Sequence, residues 1–560
     1  MSPPGSSAAT PALASPWRIA SEVAGRGRGL LRRHWLFAVV AVCATALRVV
    51  VQLAYSPALI FPDSERYLQY AHNFLTGGWA PDWLRTSGYS LLLMPAVRAH
   101  NLAVVAAVQH VLGLATAALV YAVLVHFGAK RWLATLAAVP VLFDPLQLNI
   151  EQYILTDISA TFLLVAALVV LVWKRDAMGR AAPIVAGLLL AAATIIRESD
   201  LIVIVPIVLY LVAVFRRRRR LAAKMVALLL LGFLPPVLGY LGWVDVWYGR
   251  FDFVNYDSQF LYGRIAQFID CQGLTLPSYE QSLCPKQPPA QRNPDFYMWD
   301  PQSPQVLLQA PPGMNKGRIM QDFDRRILEH QPLAYLEAVG GDILYSFSPV
   351  RGDGPEHYPV LYHQFQTYFP GDGDYPGGKE LLVTIPQYTG RAPHLEPALA
   401  DFLAAYGRDF YVPGPLFAAG LVLGLAGMAG IGRARRSGLR APCFLFAAGA
   451  IAAVESPFLI ATFDWRYEIP QFSLIPIAAV LAVTAWTRKP SNLTPAPPPA
   501  STDMLVPVSE EVNPVPATRY GTDEPGDLAD AHGTSDDQPG PASSVSAETS
   551  LPASAPGVSA

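Results

Sequence analysis

Ten apolar stretches, each close to the length of a membrane-crossing helix, constrain this chain more than any other feature. A helix needs about 20 apolar residues to cross the hydrocarbon core. The stretches lie near 34–54, 102–127, 131–149, 157–173, 181–196, 200–215, 224–243, 411–431, 440–462 and 469–487. A further segment, 88–99, is too short to span and reads as a helix lying at the interface or re-entering. Charged residues are 15% of the 560, against about 25% in a soluble domain, so a purely soluble protein is excluded.

The basic residues set the orientation. Arg18, Arg26, Arg28, Arg32 and Arg33 precede the first stretch. Lys130 and Arg131 follow the second, and Lys174, Arg175 and Arg180 follow the fourth. The run Arg216 to Arg220, with Lys224, follows the sixth. Arg433, Arg435, Arg436 and Arg440 follow the eighth, and Arg488 and Lys489 the tenth. More than half of the 41 Lys and Arg thus fall in alternate loops. The positive-inside rule places those loops and both termini in the cytoplasm.

The expected organisation is all-α and polytopic. A basic cytoplasmic segment (1–33) leads into spans one to seven (34–243), with a long outer loop at 55–87. A mixed insert domain (244–410) stands outside the membrane between spans seven and eight. Spans eight to ten (411–489) follow, and then a tail (490–560) too polar to fold. Cys271 and Cys284 both fall in the insert, where a disulfide is plausible in an oxidising compartment. Cys43 and Cys443 fall in spans and read as packing residues.

A formal net charge of -2 offers no basic field for nucleic acid. No CxxC, HExxH, GxxxxGK[ST] or GxGxxG occurs, so the common metal, protease and nucleotide motifs are missing. The chemistry-bearing residues gather at the outer ends of the stretches. The first outer loop, FPDSERYLQYAHNFLTGGWAPDWLRTSGYSLLLMP, holds Asp63, Glu65 and Arg85, with Tyr67, Tyr70, Ala71 and Phe74 on one helical face. FDPLQLNIEQYILTDISATFLLV holds Asp144, Glu151 and Asp157, the last at a helix start that Thr156 can cap. IIRESDL holds Arg197, Glu198 and Asp200, and FDWRYEIP holds Arg466 and Tyr467. Acid and guanidinium groups at headgroup level suit a lipid-linked anionic substrate. Arg forks onto phosphate, and a carboxylate can take a proton from a hydroxyl. The alternatives are solvated loop charges, surface ion pairs, an aromatic belt with a snorkelling arginine (which fits Arg48 as well as Arg466) and, for Gln109 and His110, an interhelical hydrogen bond.

In this order the elements resemble the GT-C superfamily of membrane glycosyltransferases, near the aminoarabinose transferases and protein O-mannosyltransferases. Asp63, Tyr67 and Ala71 match a D-x-x-x-Y-x-x-x-A pattern. Arg85, Gly88 and Tyr89 match an R-P-P-G-Y-P-L-L-L-like stretch in which Thr86, Ser87 and Ser90 replace prolines. Asp157 matches the second acid, Arg197 the arginine between spans five and six, and Arg466, Tyr467 and Pro470 an RY-x-x-P opening. Pro332 and Tyr335 match a recurrent P-x-x-Y helix. The resemblance runs from about 30 to 487.

The resemblance implies an inverting transfer of a hexose or pentose from a polyprenyl-phosphate-linked donor. The acceptor would be a hydroxyl of a cell-envelope glycan, lipid or protein, at the extracytoplasmic face of a bacterial plasma membrane. Asp63 and Asp157 would be catalytic, the latter with or without a divalent ion (Mg or Mn). Arg85, Arg197 and Arg466 would hold the donor phosphate, and Glu65, Tyr67, Tyr89 and Tyr467 would shape the substrate site. A transporter or flippase of a lipid-linked envelope precursor, or a non-catalytic assembly scaffold, is the competing reading.

Overall fold

The computed structural model describes residues 32–254, 258–354, 357–371, 374 and 381–488. The expectations for the first 31 residues and for the tail lie outside the described residues.

Each apolar stretch forms a helix. In chain order the membrane helices are α1 (Trp35–Ala54), then, after α2 (Pro62–Leu75) and α3 (Gly88–Arg98), α4 (Ala103–His126), α5 (Arg131–Phe143) with α6 (Pro145–Gln152), α7 (Asp157–Trp173), α8 (Ala181–Ile196), α9 (Ile204–Val214) and α10 (Arg219–Tyr248). The insert supplies α11 (Ser258–Phe268), α12 (Pro294–Trp299), α13 (Lys316–His330) and α14 (Pro332–Tyr345). The chain closes with α15 (Pro397–Asp409), α16 (Gly414–Ala429), α17 (Arg440–Glu455) and α18 (Gln471–Thr487). Five helices are long and apolar enough to cross a membrane, or seven if the bent pairs α5–α6 and α15–α16 each make one span. Helices α7 and α8 are apolar but shorter. The chain is therefore a helical, multi-pass membrane protein, with five to seven of the ten expected spans at full length.

The α5–α6 break has a local cause. Pro145 cannot donate a backbone hydrogen bond and pushes Asp144 into extended backbone. The Asp144 carboxylate then caps α6 by accepting from Leu146 N–H at 3.0 Å. Arg48 of α1 turns inward at this break, and does not snorkel. Its guanidinium donates to the carbonyls of Leu142 (2.9 Å) and Val141 (3.0 Å) and to Glu151 (2.8 Å).

Helices α8 and α10 meet through glycine. A Cβ on Gly187 would lie 2.2 Å from the Leu229 carbonyl oxygen, and one on Gly232 would lie 2.2 Å from that of Ile184. In lipid, where apolar burial gives no drive between helices, such close backbone approach supplies the packing. Gly187→Val is expected to push α10 off α8 and lower the thermal unfolding temperature of the purified protein well below that of Val185→Ala, an exposed control on the same helix.

The insert differs from expectation in two ways. It is helical, not mixed: its one strand among the described residues, His394–Leu395, pairs antiparallel with Tyr55–Ser56 beside α1. Nor does it gather around one core. Residues 258–328 pack around Tyr262, Ile265, Phe323 and Ile327, with Cys271 and Cys284 joined in a disulfide. Tyr362, Phe365, Ile385, Tyr388 and Leu403 instead join the core of the membrane helices. That second half brings insert residues against the end of the bundle that carries Asp63.

Candidate active site

Backbone hydrogen bonds bring distant segments to one end of the helices. Leu59 N–H donates to Gln152 O (2.9 Å), and Ile154 N–H donates back to Leu59 O (3.1 Å). Ser64 Oγ, which accepts from Phe61 N–H, donates to Ile154 O at 2.8 Å. The starts of α2 and α7 are thereby tied together. Asp63 lies in the first turn of α2 and Asp157 opens α7, where the positive helix end favours a carboxylate. Thr156 does precede α7, but its side chain makes no capping bond.

Thr86 and Ser87 hold the Arg85 loop. Thr86 Oγ donates to Ile196 O at 2.9 Å, next to Arg197. Ser87 N–H donates to the Tyr240 hydroxyl at 3.0 Å, and its Oγ accepts from Asp82 N–H at 2.8 Å. Proline at either position would lack the hydroxyl, and at 87 also the N–H, that these bonds use. The departure from the expected stretch is thus itself a positioning device.

The arginines and carboxylates converge. Asp63 Oδ1 accepts from Arg85 Nε (3.1 Å) and Nη2 (2.7 Å), and Oδ2 accepts from Arg466 Nη1 (3.0 Å). Arg197 Nη1 lies 3.3 Å from Asp157 Oδ1. Burial alone would raise the Asp63 carboxyl, but Arg85 and Arg466 outweigh it and hold it down at about 2. Tyr67 stands edge-on to Tyr89, ring centroids 5.2 Å apart. Burial, and then the Asp63 charge, push the Tyr67 phenol up, so it stays a hydrogen-bond donor. Tyr467 has the guanidinium carbons of Arg197 and Arg466 each 5.5 Å from its ring centroid. Cation–aromatic contact of this kind steadies a guanidinium without using its N–H donors.

Donors are left over. Arg197 Nη1 and Nη2 are buried with no hydrogen-bond partner, as is Asp157 Oδ2. Among the described residues no protein acceptor meets Arg85 Nη1 or Arg466 Nη2. Arg466 Nε is likewise buried without a hydrogen bond, whereas the Arg85 and Arg466 side chains keep 17% and 13% exposure. Buried guanidinium donors such as those of Arg197 are costly without acceptors, and an anion placed there would relieve that cost.

Several expected groupings dissolve. Asp144, Glu151 and Asp157 do not form one cluster. Asp144 pairs with Arg351 of the insert (2.7 Å), Glu151 with Arg48 and His110 (2.8 Å each), and Asp157 with Arg197. Asp144 and Glu151 stand at opposite ends of α6 and Asp157 opens the next helix, so each carboxylate meets a different partner. Arg197, at the end of α8, reaches Asp157 at the start of the adjacent α7, where a pair with its sequence neighbours Glu198 or Asp200 was the alternative. Glu65, one turn face away from Asp63, acts on Tyr388 of the insert and stands outside the network.

Sequence reasoning passed over three contributors. Phe260 and Trp299 of the insert flank the Arg85 guanidinium at 4.8 and 5.6 Å. Nothing in the local sequence marks them. Asp464 caps the short 3-10 turn Trp465–Glu468 by accepting from Arg466 N–H. That signal was legible, an Asp two residues before the arginine whose backbone N–H it accepts from.

Among the described residues no three His, Cys, Asp or Glu side chains come together as a metal-ligand set. Arg197 lies against Asp157 and bears on Asp200, the acids nearest to a pair. A divalent ion wanting about six oxygens does not fit beside that guanidinium.

Residues 96–226 match the family model of dolichyl-phosphate-mannose-protein mannosyltransferase. The matched stretch holds Asp157 and Arg197 but not Asp63, Arg85 or Arg466. No curated protein matches the chain. Among solved structures it is similar to the S. cerevisiae protein O-mannosyltransferase Pmt1-Pmt2 complex bound to the sugar donor, at 16% identity and a TM-score of 0.33. That likeness covers 43% of this chain and 37% of the other, so little more than a third of that relative's length is spanned. By its matched stretch, and by the order of its acid and arginine motifs, the chain is similar to the GT-C superfamily of membrane glycosyltransferases.

Proposed function

We propose that this protein transfers a sugar from a polyprenyl-phosphate donor to a hydroxyl acceptor of the cell envelope, at the extracytoplasmic face of the membrane. The observation that carries the reading is the set of guanidinium donors without protein acceptors, on Arg85, Arg197 and Arg466, around the Asp63 and Asp157 carboxylates. The donor's phosphate fills that gap. The acceptor oxygen bonds to the anomeric carbon, the bond to the phosphate oxygen breaks, and the carbon inverts. Charge grows on the leaving phosphate, where fixed guanidinium donors stabilise it.

Asp63 raises a chemical question. A carboxylate held down at about 2 is a weak base. The arriving phosphate competes for Arg85 and Arg466, and each hydrogen bond it draws away returns basicity to Asp63. In this reading donor binding prepares Asp63 to orient the acceptor hydroxyl and take its proton. Tyr67, Tyr89 and Tyr467 wall the sugar. A transporter reading would draw on Arg48, Glu151 and His110 within the helices, but these groups are spent on one another and on helix carbonyls.

Membranes containing the protein, fed a radiolabelled polyprenyl-phosphate sugar, test the reading. Wild type is expected to label an envelope fraction. Arg197→Ala is expected to raise the donor KM about 10- to 100-fold, the worth of a charged hydrogen bond. Wild-type membranes that transfer neither hexose nor pentose from such donors would sink the reading.

A further inference from the structure

His363 sits on the short insert turn Val360–His363, about 100 residues from the nearest member of the cluster in sequence. It is 1% exposed, and its Nε2 meets Asp464 Oδ1 at 2.5 Å, with that carboxylate 2% exposed. Asp464 in turn holds Arg466 at two points. It accepts from the Arg466 backbone N–H at 3.2 Å, and its Oδ2 lies 3.0 Å from Arg466 Nε. The His363 ring also stacks on Phe61, with centroids 5.7 Å apart and planes 29° apart. Arg466 lies over that same Phe61 ring, at 5.1 Å. Phe61 caps α2 two residues before Asp63. His363 therefore touches the supports of both Asp63 and Arg466, and neither charged group itself.

A long arginine loses much rotamer freedom when fixed, so holding its plane needs anchors at both ends of the guanidinium. Asp63 accepts from Nη1, and the Asp464 carboxylate lies against Nε as an ion pair without a hydrogen bond to it. We propose that Asp464 and His363 are positioning residues for Arg466, fixing its guanidinium plane so that Nη2 is presented to the donor phosphate. The proposal rests on the donor-phosphate reading above. A purely structural His–Asp pair would change stability alone, whereas a positioning pair changes turnover in a protein that remains folded.

Two substitutions separate the hydrogen bond from the packing. His363→Phe keeps a ring against Phe61 and loses the Nε2 donor. His363→Gln loses the ring and keeps an N–H near the Nε2 position. In the membrane transfer assay, His363→Phe is expected to lower kcat about 10- to 100-fold, the effect of roughly 1 Å of misplacement, with acceptor KM unchanged. Asp464→Asn is expected to behave like it, and His363→Gln to recover most of the loss. Wild-type turnover by His363→Phe overturns the proposal, as does equal loss in His363→Phe and His363→Gln. If wild type itself transfers nothing, the transferase reading fails and the pair is read on binding of decaprenyl phosphate to purified protein. Weaker binding by His363→Phe than by His363→Gln then supports positioning, and equal binding overturns it.

Discussion

Asp63→Asn protein is expected to fold and to transfer sugar about 10²- to 10⁴-fold more slowly than wild type, the usual loss when a general base is removed. The amide oxygen can still accept from one arginine, so the geometry at the start of α2 is kept. What is lost is the charge, and with it any capacity to take the acceptor's proton. The comparison is between initial rates in membranes matched for protein content. A rate within threefold of wild type would remove Asp63 from the chemistry, whatever its neighbours. A pH series gives an independent check. An unfolded Asp titrates near 3.9, above the folded value of about 2. The Asp63 contribution to stability is thus complete above about pH 4 and lost as pH falls towards 2. Wild type should lose thermal stability across that window, and Asp63→Asn should lack this component.

Arg48→Ala is expected to be the most damaging substitution away from the site. Arg48 is 2% exposed and Glu151 is fully buried. Removing one partner of such a pair costs about 3–5 kcal/mol. Arg48 also supplies donors to the carbonyls of Val141 and Leu142, left over at the end of α5 where Pro145 stops the ladder. Total stability of a domain is about 5–15 kcal/mol, so this protein should accumulate poorly and unfold at much lower temperature in detergent. Arg48→Met with Glu151→Gln removes both charges, and should recover part of the loss. If the double variant is no better than Arg48→Ala, the uncompensated carboxylate is not the cause. Because the segment after α6 is bonded to Leu59 and Ser64, damage here should reach Asp63 and lower transfer as well.

How far each feature could be read in advance follows from its physical range. Apolar length and basic loops act through the bilayer, a solvent common to every segment, so the helices were readable from runs of residues. The acids and arginines that converge, Asp63, Arg85, Asp157, Arg197 and Arg466, drew notice because ionisable groups beside apolar runs are costly unless used, and the family resemblance singled them out together. Their pairing was not. Arg197 stands next to Glu198 in the chain and binds Asp157, and Glu65 shares a turn with Asp63 and faces another way. Arg48 had the sequence context of a snorkelling residue, and was decided by a helix break some 95 residues on.

The sequence by itself determined that this chain is a helical membrane protein with acid and arginine side chains at the ends of its apolar runs. Hydrophobic periodicity and charge placement are local, and water and lipid read them one segment at a time. Only the tertiary structure decided which carboxylate each guanidinium meets, that His363, Phe260 and Trp299 come to the cluster from the insert, and which donors are left without a protein acceptor. Those outcomes depend on distances between segments up to 403 residues apart, as between Asp63 and Arg466, and no local pattern encodes a distance of that kind.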